Sequence, residues 1–224
     1  YFWIFEDEDG RFNFAFSYAK AHPDCFLVTS DDFKSNVVYV SEAAAARYAE
    51  FALSNAMMLL YTFCTSPYQT LMVHASVIAH EEGGYMFLGR SGTGKSTHSR
   101  LWLNHIEDTY LLNDDNPVVR YIDGQAYVYG TPWSGKTPCY KNKHYPLAGM
   151  VRLKQARQNR YTDRKDITAI IAILPGCSVI RKDTEQYDTL CNTLVELTGK
   201  VRIGTLECLP DRDAVFLCFE RLKG

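Results

Sequence analysis

The sequence lacks any apolar run long enough to cross a membrane. Its two longest apolar runs are AMMLLYTFC, at residues 56–64, and ITAIIAILPGCSVI, at residues 167–180. The first is too short and the second contains Pro175, whereas a spanning helix needs about 20 apolar residues. No signal peptide is visible, and because the chain begins at Tyr1 without a methionine, an earlier removal of a leader stays open. We therefore expect a cytoplasmic protein that does not bind membranes.

The sequence also lacks a strong charge and a cysteine motif. The formal net charge is −2, so no overall basic field would attract nucleic acid, and any anion site must be local. The seven cysteines are odd in number and include no Cys-x-x-Cys pair, which excludes a zinc ribbon and a thioredoxin motif. Most of them lie in apolar runs and are expected to be reduced, buried residues.

Turn and periodicity signals divide the chain into a β-rich segment, residues 1–40, and a larger domain, residues 41–224. The first segment contains a hairpin signal at Asp9-Gly10 and the β-branched run NVVYV. A long helix that Ser41 caps follows it, and its run between residues 56 and 64 is apolar on nearly every face, which predicts a buried helix. Further hairpins and strand–loop–helix units follow, which favours a mixed α/β or α+β fold rather than a doubly wound sheet.

The stretch GRSGTGKST, residues 89–97, matches the phosphate-binding loop pattern G-x-x-x-x-G-K-[ST]. An apolar strand precedes it and a helix follows, as that loop requires. Glycines let successive backbone N–H groups point at an anion, the helix adds its positive end, the lysine reaches the β- and γ-phosphates, and the serine can bind Mg²⁺. The predicted nucleotide-binding residues are Gly89, Ser91, Gly92, Thr93, Gly94, Lys95, Ser96 and Thr97.

Two acidic residues and one histidine are the catalytic candidates beside Lys95. Asp114 and Asp115 end a short strand after the loop's helix, where one carboxylate can hold Mg²⁺ and the other can take a proton from a hydroxyl. The alternative is a solvated Asx turn in NDDNP. His74 lies in the strand before the loop's strand, where packing is the common role of a single histidine.

A second glycine-rich loop, GTPWSGKTPCYKNK at residues 130–143, is a candidate substrate loop. Its glycines and lysines could approach a phosphate or an acidic substrate, and its tryptophan could stack on a ring. A solvated basic loop is the alternative. The candidates are Gly130, Trp133, Ser134, Gly135 and Lys136.

The order of VHASVI, FLGRSGTGKST and LLNDDNPVV resembles the catalytic core of HPr kinase/phosphorylases, whose fold is shared with ATP-dependent phosphoenolpyruvate carboxykinases. The resemblance is good over residues 70–120 and does not cover the N-terminal segment. It implies that His74 pairs with a catalytic carboxylate, that Asp114 resembles the base, and that Asp115 and Ser96 lie at the metal. Which aspartate has which role stays open. A homo-oligomer is also implied.

Two departures from that family bear on function. HPr kinases usually carry a glutamate directly after the loop's serine, where this chain has Thr97, and a metal-binding glutamate in a second loop, where GTPWSGK has none. The expected activity is an ATP- and Mg²⁺-dependent transfer of a phosphoryl group to a hydroxyl on a protein, peptide or small molecule. The open alternatives are a nucleotide-binding regulator without transfer and a carboxykinase-related activity.

Overall fold

The computed structural model describes residues 1–19, 22–81, 83–135 and 137–223. The chain divides into two compact units, residues 1–65 and 66–224. The sequence analysis drew its boundary at residue 40. The structural division falls after residue 65, so the long helix belongs to the first unit.

The first unit is an antiparallel sheet followed by a helix. In its described residues, four strands pair in chain order: β1 (Phe2–Glu6), β2 (Phe12–Phe16), β3 (Cys25–Val28) and β4 (Val37–Val40). The turn between β1 and β2 is closed by a bond from the Gly10 N–H to the Asp7 carbonyl, and Gly10 has a φ of 80°, which confirms the predicted hairpin. Helix α1 (Glu42–Thr65) begins after Ser41, whose Oγ accepts from the Ala44 N–H at 3.2 Å, as predicted.

Helix α1 packs through one face only. Phe63 stacks on Phe14 of the sheet with ring centroids 5.6 Å apart, while Leu53 and Met57 are exposed. The helix was expected to be buried, and in its run at residues 56–64 this holds in part: Ala56, Thr62 and Phe63 are buried, Met57 is exposed, and the other side chains are half-buried. Within the described ranges, no helix is both long and apolar enough to cross a membrane.

The second unit is built on a mixed sheet. Within the described ranges it has nine strands: β5 (Thr70–Met72), β6 (Ala75–His80), β7 (Gly83–Leu88), β8 (Thr109–Asn113), β9 (Val118–Ile122), β10 (Gln125–Tyr129), β11 (His144–Gln155), β12 (Arg160–Arg164) and β13 (Arg202–Cys208). The order is β5-β9-β10-β11-β7-β6-β8, and β13 joins β11 to β12. Strand β11 is parallel to β7 and β13 but antiparallel to β10, so the mixed class is confirmed.

Helices cover both faces of this sheet. Apolar residues of α2 (Lys95–His105) and α5 (Arg212–Lys223) form one core with Phe87 and Val151, and those of α3 (Asp166–Ile173) and α4 (Thr184–Thr198) form another with Met86 and Met150. The start of the apolar run at residues 167–180 forms the helix α3. The Asp183 carboxylate caps α4, since it accepts from the Gln186 N–H at 3.0 Å.

The buried histidine His98 makes the stability of the fold depend on pH. The His98 side chain lies in the α2 core, where its Nε2 accepts from the Trp102 indole N–H at 3.0 Å, and burial lowers its pKa from 6.5 to about 4. The unfolded chain therefore binds more protons than the folded one between these two values. We expect the free energy of unfolding to have its full value above pH 6.5 and to fall by about 3 kcal/mol as the pH drops to 4.

Chemical unfolding at a series of pH values from 7 to 4 measures this loss. Replacing the exposed His105 with glutamine should leave the profile unchanged, whereas replacing His98 with glutamine should flatten it. A wild-type stability that stays constant from pH 6.5 to 4.5 would show that His98 titrates normally.

Candidate functional site

The predicted phosphate loop connects β7 to α2, in the expected order. Gly92 and Gly94 have φ values of 81° and 107°, in the left-handed region that favours glycine, and Gly94 is the N-cap of α2. A Cβ on Gly89 would lie 3.0 Å from the Thr93 side chain, so glycine is needed there for close approach. The first-turn N–H groups of α2, at Lys95 and after it, have no helical carbonyl to pair with and are free to bind an anion.

The Lys95 side chain is buried at the start of α2. Its Nζ donates to the Gly89 carbonyl oxygen at 3.0 Å and lies 3.1 Å from His74 Nε2. Desolvation lowers the pKa of Lys95, and the charges of Asp115 and Asp114 oppose that shift. The two carboxylates favour the charged form of Lys95, and the ammonium group can bind a phosphate oxygen.

His74 lies in a break between β5 and β6, not inside one strand as the sequence predicted. The two strands pair with different neighbours, β5 with β9 and β6 with β7 and β8, so the chain crosses within the sheet at this point. The His74 N–H donates to the Gly176 carbonyl at 2.7 Å, and the next N–H donates to the Asp115 carbonyl at 2.9 Å. These bonds place the histidine ring between the phosphate loop and the double aspartate.

His74 Nε2 faces two partners, since Asp115 Oδ1 lies 3.4 Å away and Lys95 Nζ lies 3.1 Å away. One ring nitrogen cannot accept a proton from the lysine and donate one to the carboxylate at the same time. A neutral ring with its proton on Nδ1 accepts from the lysine, whereas a ring with its proton on Nε2 pairs with the carboxylate. The three groups therefore form one connected proton network.

Asp114 is held by two serines that the sequence analysis did not identify. Ser76 Oγ donates to Asp114 Oδ1 at 2.9 Å, and Ser99 Oγ lies 2.6 Å from Ser76 Oγ. Because Ser76 gives its proton to the carboxylate, Ser99 is the donor in the second bond. Ser76 lies two residues after His74 in a stretch that the sequence analysis interpreted as one strand. Residues two apart on a strand share a face, and this spacing was the available sequence signal for Ser76.

The second glycine-rich loop is only partly at the site. Gly135 approaches Asp115 so closely that a Cβ on this glycine would lie 3.3 Å from the aspartate Cβ. Asn113 joins the two segments, because its Oδ1 accepts from the Asp115 N–H at 2.9 Å and its Nδ2 donates to Thr131 Oγ1 at 3.0 Å.

The other members of the loop have structural contacts. A Cβ on Gly130 would clash with the Lys141 carbonyl oxygen, so this glycine allows two segments of backbone to meet. Ser134 Oγ accepts from the Cys139 N–H at 3.1 Å, and the Trp133 carbonyl accepts from the Asn116 N–H at 3.2 Å. Lys136 lies outside the described residues.

These groups line a cavity of about 450 Å³. Its lining residues are His74, Ser91, Gly92, Gly94, Lys95, Ser96, Thr97, Asp114, Asp115 and Gly135. Of the predicted site residues that the structure describes, Gly89, Thr93, Gly130, Trp133 and Ser134 are not in this lining. One space is thus lined by the start of α2, by Lys95 and His74, and by both aspartates, although these groups come from separate parts of the chain.

The lining fits a nucleoside triphosphate with magnesium. The glycine turn and the start of α2 offer N–H groups to phosphate oxygens, and the hydroxyl of Ser96 and the two carboxylates offer oxygen ligands. Among the described residues, no group of three or more histidines, cysteines, aspartates or glutamates is arranged to hold a metal.

Comparison with known proteins adds little to this geometry. No protein-family model matches the chain, and no curated protein sequence matches it. A solved structure, the Hpr(Ser) kinase/phosphatase from Coxiella burnetii, is similar over 68% of this chain and 93% of its own, with 10% sequence identity and a TM-score of 0.36. The likeness is distant, and the geometry of the site stands without it.

Proposed function

We propose that the protein is an ATP-dependent phosphotransferase that moves the γ-phosphoryl group of MgATP to a hydroxyl acceptor. The observation that carries this proposal is the cavity itself. It brings the Lys95 cation and the start of α2 to the same space as the Asp114 and Asp115 carboxylates. Phosphoryl transfer depends on positioning and charge stabilisation rather than covalent catalysis, and these are the groups that supply both.

The phosphate side of the cavity contains the groups that bind the nucleotide. The N–H groups after Gly92 and Gly94 bind phosphate oxygens, and Lys95 leaves its contacts with Gly89 and His74 to bind the β- and γ-phosphates. Ser96 and Asp114 would hold Mg²⁺, which supplies positive charge to the phosphate oxygens when it is bound. The bond from Ser76 keeps the Asp114 carboxylate oriented for this role.

Asp115 is the better base of the two aspartates. Its side chain is half-buried and lies beside His74, with Oδ2 accepting from Asn116 Nδ2 at 2.9 Å, whereas Asp114 is buried and accepts from Ser76. Asp115 takes the proton of the acceptor hydroxyl, the acceptor oxygen forms a bond to the γ-phosphorus, and the bond from that phosphorus to the bridging oxygen breaks to release ADP. This reverses the assignment that the family resemblance implied, and His74 orients the base.

A regulator that binds ATP without transferring phosphate is the second candidate. Thr97 lines the cavity directly after Ser96 and carries no carboxylate, and the described part of the second loop adds none. With Asp114 and Asp115 as the acidic residues in the described lining, charge balance at a second metal ion would be poor.

Two measurements on the wild-type protein separate these functions. Calorimetry with Mg²⁺ and the non-hydrolysable analogue AMP-PNP should show saturable binding, and γ-labelled ATP should transfer its label to at least one acceptor in a panel of alcohols, serine peptides and proteins. Binding without label transfer, with ATP intact after hours, would establish the regulator. Phosphoenolpyruvate formed from oxaloacetate would indicate carboxykinase-related chemistry, and the absence of heat with AMP-PNP would overturn the nucleotide site.

A further inference from the structure

A second cavity, of about 510 Å³, adjoins the nucleotide cavity. His74 and Ser91 line both, so the histidine stands between the two spaces. Three arginines, Arg90, Arg152 and Arg181, line the second cavity, and among the described residues no acidic side chain does. We call it the arginine cavity.

Three separate parts of the fold supply these arginines. Arg90 follows Gly89 at the end of β7, and Arg152 lies on β11 opposite Leu88 of β7. The Arg152 guanidinium donates through Nη1 to the Ala172 carbonyl of α3 at 3.0 Å, which holds the side chain in place. Arg181 precedes the N-cap of α4, in the segment after Gly176, whose carbonyl accepts from the His74 N–H.

The charges in the arginine cavity are not balanced within the protein. In the described part of the chain, none of the three arginines is within ion-pair distance of a carboxylate, although the protein as a whole has a net charge of −2. Arg90 and Arg181 are exposed and Arg152 is half-buried, so water screens part of the repulsion, and an anion that entered the cavity would be attracted by all three charges. The planar guanidinium matches carboxylate and phosphate groups, which it binds through paired hydrogen bonds.

We propose that the arginine cavity is the acceptor subsite, and that the acceptor is a small hydroxyl compound carrying a carboxylate or phosphate group. This inference rests on the proposed phosphotransferase function and adds the substrate class to it. The volume suits one small molecule. An anionic group held by Arg152 and Arg181 would leave the hydroxyl of the same molecule free to face His74 and the nucleotide cavity.

In the resulting step, the arginines hold the anionic group while the hydroxyl oxygen attacks the γ-phosphorus. The hydroxyl proton passes to Asp115, the new phosphate ester forms, and ADP leaves, so atoms and charge balance without any further reactant. The arginines do not take part in the proton transfer. They position the acceptor, so their loss should raise KM more than it lowers kcat.

Binding of simple anions tests the arginine cavity apart from catalysis. The protein is first saturated with Mg²⁺ and AMP-PNP, so that the phosphate loop is occupied, and is then titrated with inorganic phosphate and with malonate. We expect at least one of these probes to bind saturably, and Arg152→Gln and Arg181→Gln to weaken it by about tenfold or more each. Arg157→Gln, at an exposed position outside both cavities, is the control and should not change the affinity.

The outcomes separate this inference from the proposed function. AMP-PNP binding with no saturable anion binding, or with anion binding that both arginine variants leave unchanged, overturns the acceptor subsite alone. Label transfer to glycerol 3-phosphate or malate that far exceeds transfer to glycerol, and that loses this preference in Arg181→Gln, supports it. Transfer only to a serine peptide or protein would overturn the small-molecule class, and failure of AMP-PNP itself to bind would remove the proposed function.

Discussion

Replacing Asp115 with asparagine is expected to slow phosphoryl transfer by about 10²- to 10⁴-fold, the usual contribution of a positioned general base. Asparagine keeps the size of the side chain, and the backbone N–H at position 115 keeps its bond to Asn113 Oδ1, but asparagine cannot take the proton of the acceptor hydroxyl. Nucleotide binding should therefore stay close to that of the wild type. Label transfer from ATP to the best acceptor, with AMP-PNP calorimetry on the same variant, measures both quantities.

The matched variant Asp114→Asn separates the two aspartates. Because Asp114 is proposed to hold Mg²⁺ with Ser96, its replacement should raise the Mg²⁺ concentration needed for half-maximal nucleotide binding, an effect that Asp115→Asn should not have. Asp123→Asn, in the exposed turn between β9 and β10, is the neutral control. A shifted Mg²⁺ requirement in Asp115→Asn, with full transfer at saturating metal, would exchange the two roles.

Replacing Lys95 with methionine is expected to lower kcat/KM for phosphoryl transfer by about 10²- to 10³-fold, because the charge that stabilises the transferring group is lost. AMP-PNP binding should weaken as well. Methionine has a similar length and no charge, and the wild-type lysine is desolvated with a lowered pKa. The variant without nucleotide should therefore be at least as stable as the wild type, since removing a desolvated cation removes an unfavourable term.

Calorimetry with AMP-PNP and thermal unfolding without nucleotide test the two parts of this prediction separately. Lys200→Met, at an exposed position after α4, is the control for the change of charge. Wild-type nucleotide affinity in Lys95→Met would mean that the lysine only joins Gly89 to His74. A loss of stability in the absence of nucleotide would mean that those two hydrogen bonds contribute more than the desolvation of the cation costs.

Local features of the site could be predicted from the sequence because a few neighbouring residues determine them. Gly92 and Gly94 take left-handed backbone angles that other residues disfavour, and the helix that begins at Lys95 follows directly. The cap at Ser41 and the hairpin at Gly10 belong to the same class. The double aspartate was also visible, since it ends a short apolar strand.

Other features depended on strand pairing and could not be predicted. The sequence analysis treated the stretch around His74 as one strand, but β5 and β6 pair with different neighbours and the histidine lies in the break between them. The helix α1 was expected to be buried, and only part of it is, because the area of sheet that covers it is set by the fold.

The sequence by itself determined the phosphate loop, its lysine and the acidic pair that follows, because short-range backbone geometry specifies each of them. Only the tertiary structure decided that His74 lies beside Asp115 rather than Asp114, that Ser76 and Ser99 support Asp114, and that three distant arginines share one cavity. The physical reason is that these contacts join residues up to about a hundred positions apart, and the pairing order of the mixed sheet, which no local pattern encodes, brings them together.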